Sequence, residues 1–183
     1  MCKGDTRHVM KIRLARLTDA EALAFVHVES SRTTYRGMLP EDVLQDFSLD
    51  RRTHQWRKML SDPTSPEVIY VAEVQEGSIV GFASAGPERE GDAVYNGELY
   101  AIYLLASAQR QGIGRQLVEA VVNHFLQQGM TTLLVWVLAA NPACAFYEAL
   151  GGKRVHTKTI QRSEKLLQEI ANGWEDIHSF LKC

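Results

Sequence analysis

The chain has 183 residues, of which 45% are hydrophobic and 23% charged, and its 20 basic and 22 acidic side chains leave a net charge of −2. This composition is typical of a globular protein, because disordered chains carry fewer apolar residues and collagen-like chains far more glycine and proline. The length is that of one domain. We therefore predict a single domain over residues 1–183, with residues 1–9 as a flexible extension.

Composition also excludes several classes of partner. The near-zero net charge disfavours a nucleic-acid binder, which carries a basic excess. No apolar run approaches the roughly 18–20 residues that span a bilayer, and the first residues lack the apolar stretch of a signal peptide. The six histidines are widely separated and there is no Cys-x-x-Cys pair, so we expect no metal site. Three distant cysteines fit a reducing compartment, and we expect a cytoplasmic protein with no nucleic-acid or membrane partner.

The first half of the chain predicts a strand followed by helices. Loose alternation over residues 11–17 predicts the strand, and the capping-box pattern of Thr18 to Glu21 predicts the start of a helix. Pro40 is suited to be the first residue of a second helix, since its missing N–H costs nothing there. Residues 51–60 continue with helical periodicity.

The second half predicts a sheet that is interrupted by helices. Residues 68–72 and 79–83 predict a hairpin around Glu76-Gly77. The later predicted elements are a strand over 98–105, an amphipathic helix over 113–126, a strand over 132–137, a short helix between Asn141 and Gly151, and a strand over 153–158. Strand, helix and strand in succession predict an α/β fold. The tail from Ser163 fits either a helix or a last strand over 167–174.

The strongest feature is the junction between the third strand and the amphipathic helix. Gly112 and Gly114 lack a Cβ atom, so the backbone there can approach a ligand and adopt positive φ values. The first N–H groups of the helix are unpaired and point out of its positive end. This arrangement binds phosphate groups, and Arg110 and Arg115 can neutralise their charge.

The spacing of the loop separates three kinds of phosphate site. A Walker loop would need a Gly-Lys-Ser/Thr ending, and a dinucleotide fingerprint would need a third glycine near the first strand. Both are absent. The pattern Gln/Arg-x-x-Gly-x-Gly/Ala is matched in full by residues 109–114. A tight strand-to-helix turn without a ligand is the alternative interpretation.

With this loop, the sequence resembles the GNAT superfamily of N-acetyltransferases over residues 10–160. Residues 98–104 resemble the central strand of that family, and Asn141 with residues 145–151 resembles its cofactor-side helix. Gly152 is a departure, because relatives commonly place an aromatic residue there. The resemblance implies a single α/β domain with a mixed, mostly antiparallel central sheet that is flanked by helices.

The resemblance also implies acetyl-CoA as the co-substrate and a primary amine of a small molecule or peptide as the acceptor. The amine would attack directly in a ternary complex, without a metal. Homodimers are common in the superfamily, so a homodimer is one expectation. The cofactor-binding residues that the resemblance implies are Ile102, Tyr103, Leu104, Gln109, Arg110, Gln111, Gly112, Ile113, Gly114, Arg115, Asn141 and Tyr147.

Acetyl transfer to an amine requires removal of a proton from the amine, stabilisation of an oxyanion and protonation of the departing thiolate. Tyr147 is the candidate acid, since the tyrosine at this position in the resembled family points its hydroxyl at the cofactor sulfur. A core aromatic residue is the alternative. Glu98 is the candidate base, acting directly or through water, and a solvated residue at the start of a strand is the alternative.

Other residues near the expected acceptor side carry weaker predictions. Glu29, Tyr35 and Arg36 lie where the resembled fold borders its acceptor pocket, and they are candidate substrate contacts or solvated loop residues. His27 is predicted to be packed rather than catalytic, and Cys144 to be a small buried residue. Two other functions remain open: an acyl-CoA-binding module without catalysis, and a ping-pong enzyme that forms an acyl-Cys144 intermediate.

Overall fold

The fold of residues 10–182, which a computed structural model describes, is a central sheet with helices on both faces. The extension predicted at residues 1–9 lies outside the described residues. The strands are β1 (Lys11–Leu14), β2 (Val68–Glu73), β3 (Ile79–Pro87), β4 (Gly97–Leu104), β5 (Leu133–Leu138), β6 (Lys153–Arg162) and β7 (Lys165–Trp174). The α-helices are α1 (Ala20–Thr34), α2 (Glu41–Gln45), α3 (Leu49–Ser61), α4 (Ile113–Gln127) and α5 (Ala143–Ala149).

The strands form one sheet in the order β1-β2-β3-β4-β5-β7-β6. Neighbouring strands are antiparallel except for β4 and β5, which are parallel because α4 connects them as a crossover. The predicted mixed, mostly antiparallel sheet of an α/β domain is therefore confirmed.

The two faces of the sheet bury different helices. On one face, Phe82 of β3 packs in a cluster with Leu23 of α1 and Trp56 of α3. On the other face, the next residue of β3, Ala83, belongs to the cluster that contains Leu117 of α4. Successive side chains of a strand point to opposite faces, so the sheet lies between two cores.

The capping box predicted at Thr18 does not form. The first strand ends at Leu14, residues 17–19 make a short 3-10 turn, and α1 begins at Ala20. The carboxylate of Asp19 accepts from the backbone N–H of Arg16 at 2.7 Å and from the guanidinium of Arg13 at 2.7 and 3.0 Å. The Arg13 hydrogen bond holds the pKa of Asp19 below its usual range. A charged acceptor makes stronger hydrogen bonds than a hydroxyl, which explains why Asp19 organises this turn.

Two further predictions are settled by the structure. Pro40 lies just before α2 with an extended ψ of 150°, one position earlier than predicted. The ambiguous tail is the strand β7, which pairs with both β5 and β6. Pairing on both sides determines the structure of such a segment more strongly than its own periodicity does. No helix in residues 10–182 is long and apolar enough to cross a membrane.

Candidate active site

The central feature of the site is a gap between β4 and β5. Within the described residues these strands pair only at Gly97–Leu133 and Glu98–Leu134, although β4 runs on to Leu104 and β5 to Leu138. The strands therefore separate beyond Glu98, and the edge of β4 that faces β5 is left outside the ladder. Main-chain groups on such an edge are free to bind an extended ligand.

A β-bulge in β4 lies where the strands begin to separate. Ala101 is opposite Ser84, and Leu99 is opposite Ala85, so Tyr100 is an extra residue in β4. Bulges of this kind redirect the side chains around them and occur often beside active sites. The hydroxyl of Tyr100 donates to the carbonyl oxygen of Pro87 at 2.6 Å, which fixes the ring at the end of β3.

The glycine loop lies between β4 and α4. Arg110 and Gly112 both have left-handed backbones, with φ values of 61° and 80°. A Cβ atom on Gly112 would have no heavy atom within 4 Å, whereas one on Gly114 would lie 3.2 Å from the ring of Phe146. The two glycines thus have different roles: Gly112 leaves an open concave surface at the start of α4, and Gly114 permits α4 to approach α5.

Polar side chains in the loop and at the start of α4 make local hydrogen bonds. Gln109 donates to the carbonyl oxygen of Leu104 at 3.2 Å, and Gln111 donates to that of Ser107 at 2.8 Å. Arg115 donates to Glu119 one turn further along α4, at 2.7 Å. Residues 109–112 are exposed, so their backbone groups face solvent at the positive end of the helix.

Tyr147 is a buried residue of α5, close enough to Tyr103 of β4 to be affected by it. The start of α5 is organised by Asn141, whose side-chain oxygen accepts from the N–H of Ala143 at 2.9 Å. The Tyr147 side chain is buried, with 5% of its surface exposed, and burial raises the pKa of its phenol, with Tyr103 contributing. The hydroxyl group therefore stays protonated at neutral pH.

Tyr35 and Tyr103 join Tyr147 in one cluster of phenols. The hydroxyl groups of Tyr35 and Tyr103 lie 3.2 Å apart and share a hydrogen bond. Burial raises the pKa of Tyr35, and Tyr103 and Tyr147 both raise it further. The family resemblance implied Tyr35 and Tyr147 as separate candidates, and in the structure Tyr147 lies close enough to Tyr35 to affect its pKa.

His27 packs against this cluster through Tyr103. Its ring stacks on Tyr103, with centroids 4.7 Å apart, and it also contacts the rings of Phe47, Trp56 and Phe82 at 5.8–6.2 Å. Burial lowers the pKa of His27 to about 4, helped by the positive charge of Arg52. His27 is therefore neutral and packed, in line with its predicted role.

Glu98 is not a solvated residue at the start of a strand. Its side chain is 2% exposed, and its carboxylate accepts from the Nε and the backbone N–H of Arg89 at 3.1 and 3.2 Å. Sequence analysis missed Arg89, because nothing in its spacing from Glu98 marks it as a partner. A basic residue in the loop before the strand was the one available signal.

The remaining candidates from the sequence are Glu29, Arg36 and Cys144. Glu29 pairs with Arg32 on the exposed side of α1, and Arg36 is exposed in the following turn, so the described contacts bring neither to the phenol cluster. The thiol of Cys144 approaches the carbonyl oxygen of Leu138 at 3.5 Å, and burial raises its pKa. A protonated thiol bonded to the backbone is a poor nucleophile. Among residues 10–182, no group of three or more His, Cys, Asp or Glu side chains is arranged to hold a metal ion.

Comparison with known proteins assigns the chain to a family. The sequence model of the Acetyltransferase (GNAT) family matches residues 27–152, which include the gap, the glycine loop and Tyr147. The chain belongs to the GNAT acetyltransferase family. It is also 38% identical over 169 residues to the uncharacterized N-acetyltransferase YuaI of Bacillus subtilis, covering 92% of this chain and 95% of that protein.

Two further relatives of this GNAT chain bear on its class. The mycothiol acetyltransferase of Rhodococcus erythropolis is 29% identical over 79% of this chain, which spans about half (54%) of that protein. The PaiA N-acetyltransferase of Thermoplasma acidophilum, solved in complex with coenzyme A, has the same fold with a TM-score of 0.67 and 19% identity. That match covers 88% of this chain and 98% of PaiA. The protein is an acyltransferase of the N-acetyltransferase class.

Proposed function

We propose that the protein transfers the acetyl group of acetyl-CoA to a primary amine of a small-molecule or peptide acceptor, by direct attack within a ternary complex. The observation that carries this proposal is the combination of a free edge on β4, a glycine loop that follows this strand and a buried phenol, Tyr147, close enough to Tyr103 of β4 to be affected by it. The complex of PaiA with coenzyme A supports the choice of co-substrate.

The residues at the gap fit the co-substrate. The open surface beside Gly112 accommodates a phosphate at the start of α4, where backbone N–H groups are free to donate and Arg110 and Arg115 lie close in sequence. The proposed contacts for the rest of the molecule are the backbone of residues 102–104, with Asn141 and Tyr147 at the thioester end. When bound, acetyl-CoA supplies a thioester carbonyl that is open to attack by an amine.

The chemistry of the transfer is assigned to two side chains. Tyr147 is protonated on its phenol oxygen at neutral pH and gives this proton to the departing thiolate. Glu98 accepts the proton of the amine through a water molecule, since Arg89 occupies part of its carboxylate. Holding the amine beside the thioester lowers the barrier further by proximity.

The direct mechanism is favoured over the acyl-Cys144 pathway. The Cys144 thiol is directed at the carbonyl oxygen of Leu138, and its pKa is raised by burial, so it lacks the thiolate character that a nucleophile requires. Mass spectrometry of the protein after incubation with acetyl-CoA alone tests this choice. The intact, unacetylated chain is expected, and an acetyl group on Cys144 would replace the direct mechanism by the ping-pong one.

The experiment that tests the proposal is an acceptor screen that follows CoA release with a thiol reagent. The panel contains simple amines, amino acids, peptides and aminoglycosides, each with acetyl-CoA. We expect CoA release with at least one class and an increase in melting temperature with CoA, by mass action. The absence of any thermal shift at millimolar CoA would overturn the assignment of the gap as the cofactor site.

A further inference from the structure

Arg89, in the loop between β3 and β4, holds a carboxylate that is otherwise buried. Its Nε and its backbone N–H donate to Oε2 of Glu98 at 3.1 and 3.2 Å, and its Nη2 donates to Oε1. The Arg89 side chain is 58% exposed, whereas that of Glu98 is 2% exposed. The arginine therefore covers the carboxylate on its solvent side and supplies both its charge partner and its orientation.

The bulged residue Tyr100 fixes the arginine in turn. The guanidinium carbon of Arg89 lies 3.9 Å from the centroid of the Tyr100 ring, a cation–π contact. The ring is held by its hydrogen bond to the carbonyl oxygen of Pro87 and by Gly86, on which a Cβ atom would lie 2.5 Å from the Tyr100 hydroxyl. Since Gly86 is opposite Glu98 in the sheet, the ring, the guanidinium and the carboxylate form one unit at the gap.

We propose that Arg89 is a positioning residue for the removal of the amine proton, an inference that rests on the proposed function. It supplies the charge partner of the Glu98 carboxylate and fixes its orientation, so that the carboxylate is held in place to accept the amine proton. Without Arg89, a carboxylate that is 2% exposed would lose its counter-ion, and protonation would be the way to avoid a buried, unpaired charge. A protonated carboxyl group cannot accept the amine proton.

The surrounding charges reinforce this dependence. The charged and titratable groups around the Glu98 carboxylate are Arg89 and Tyr100, with Glu67 and Glu88 close enough to affect one or both of these. Burial raises the pKa of Tyr100 to about 12, so the phenol is neutral over the working range. Removal of Arg89 would therefore leave Glu98 among other carboxylates without a cation in this group.

The test compares Arg89→Gln, Arg89→Lys and Glu98→Gln with the double variant. We expect Arg89→Gln to lower kcat at least about tenfold, with KM for acetyl-CoA within about twofold of wild type. The loss should shrink as pH rises and Glu98 ionises again, and Arg89→Lys should restore part of kcat. In the Glu98→Gln background, Arg89→Gln should have no further effect on kcat, because it acts only through that carboxylate. Arg154→Gln, which breaks an exposed ion pair with Glu148, is the control and should leave kcat unchanged.

Several outcomes would overturn the inference. If Arg89→Gln lowers kcat equally at every pH, or lowers it again in the Glu98→Gln background, Arg89 supports only the fold. If Glu98→Gln retains wild-type kcat, both the inference and the choice of base are wrong, although CoA release by the wild type still reports acetyl transfer itself. If Arg89→Gln unfolds, the double variant can still be compared with Glu98→Gln, because neither of these two variants has a buried carboxylate that lacks a counter-ion.

Discussion

Gly112 and Gly129 stand at the two ends of α4 with nearly the same left-handed backbone, at φ values of 80° and 76°, and a Cβ atom on either would have no heavy atom within 4 Å. An alanine costs about 1 kcal/mol of backbone strain at either position. Only Gly112 belongs to the proposed phosphate loop, so a bound phosphate is expected beside Gly112 and not beside Gly129.

Gly112→Ala should therefore weaken CoA binding at least about tenfold, since its Cβ atom would occupy the space proposed for a phosphate. Gly129→Ala is the matched control: it should lower the melting temperature by a similar amount and leave CoA affinity unchanged. Thermal shift and isothermal titration with CoA measure both effects. Equal CoA affinity in the two variants would contradict the proposed phosphate position.

Tyr147→Phe isolates the hydroxyl group of the proposed acid. The two side chains have nearly the same volume, so packing in the core is retained. If the phenol protonates the thiolate, kcat should fall at least about tenfold, while the affinity for acetyl-CoA and the melting temperature stay near those of wild type. Tyr95→Phe, at another buried tyrosine, should retain kcat. Full activity in Tyr147→Phe, with about 1 kcal/mol less stability, would instead make Tyr147 a structural residue.

Stability should depend on pH through His27. Its pKa is lowered to about 4 by burial and by Arg52, whereas an unfolded histidine has a pKa of about 6.5. Between these values the unfolded chain binds the extra proton, so stability falls as pH falls through that window. Between pH 7 and pH 5, the free energy of unfolding of the wild type should fall by about 2 kcal/mol more than that of His27→Gln. Urea unfolding at the two pH values measures this change in the free energy of unfolding. The control is His54→Gln, at an exposed position, which should show the same change as the wild type.

Two buried serines should respond to alanine in opposite directions. Ser31 is 0% exposed and its hydroxyl has no hydrogen-bond partner within the described structure, whereas Ser84 is 3% exposed and donates to Glu67. Ser31→Ala removes an unpaired polar group from α1 and should raise the free energy of unfolding by about 1 kcal/mol. Ser84→Ala leaves a carboxylate oxygen of Glu67 without its hydrogen-bond donor and should lower the free energy of unfolding by about 1–2 kcal/mol. A loss of stability in Ser31→Ala would indicate that its hydroxyl is hydrogen-bonded.

Sequence patterns predicted the features that depend on neighbouring residues. The glycine loop, the short helix α5 between Asn141 and Gly151 and the hairpin of β2 and β3 follow from local backbone chemistry, and each lies where its pattern indicated. The phenol cluster could not be predicted in this way. Tyr35 and Tyr103 are 68 residues apart in the chain, and their contact depends on how α1 crosses the sheet.

The surroundings of Gly152 come from a distant part of the chain. The sequence has glycine there, where the resemblance leads one to expect an aromatic residue. In the structure, a Cβ atom on Gly152 would lie 2.6 Å from the ring of Trp174, whose indole N–H donates to the carbonyl oxygen of Leu150 at 3.0 Å. Trp174 of β7 thus occupies the space beside Gly152, and this contact depends on the pairing of β7 in the sheet.

The position of β7 has a consequence for synthesis of the chain on the ribosome. It is the last of the described strands to be translated, yet it lies between β5 and β6 in the interior of the sheet. Until Trp174 has left the ribosome, β5 and β6 each expose an unpaired edge, of the kind that pairs with other chains. The sheet therefore closes through a long-range pairing, and the nascent protein is most prone to aggregation while β7 is not yet available to pair with β5 and β6.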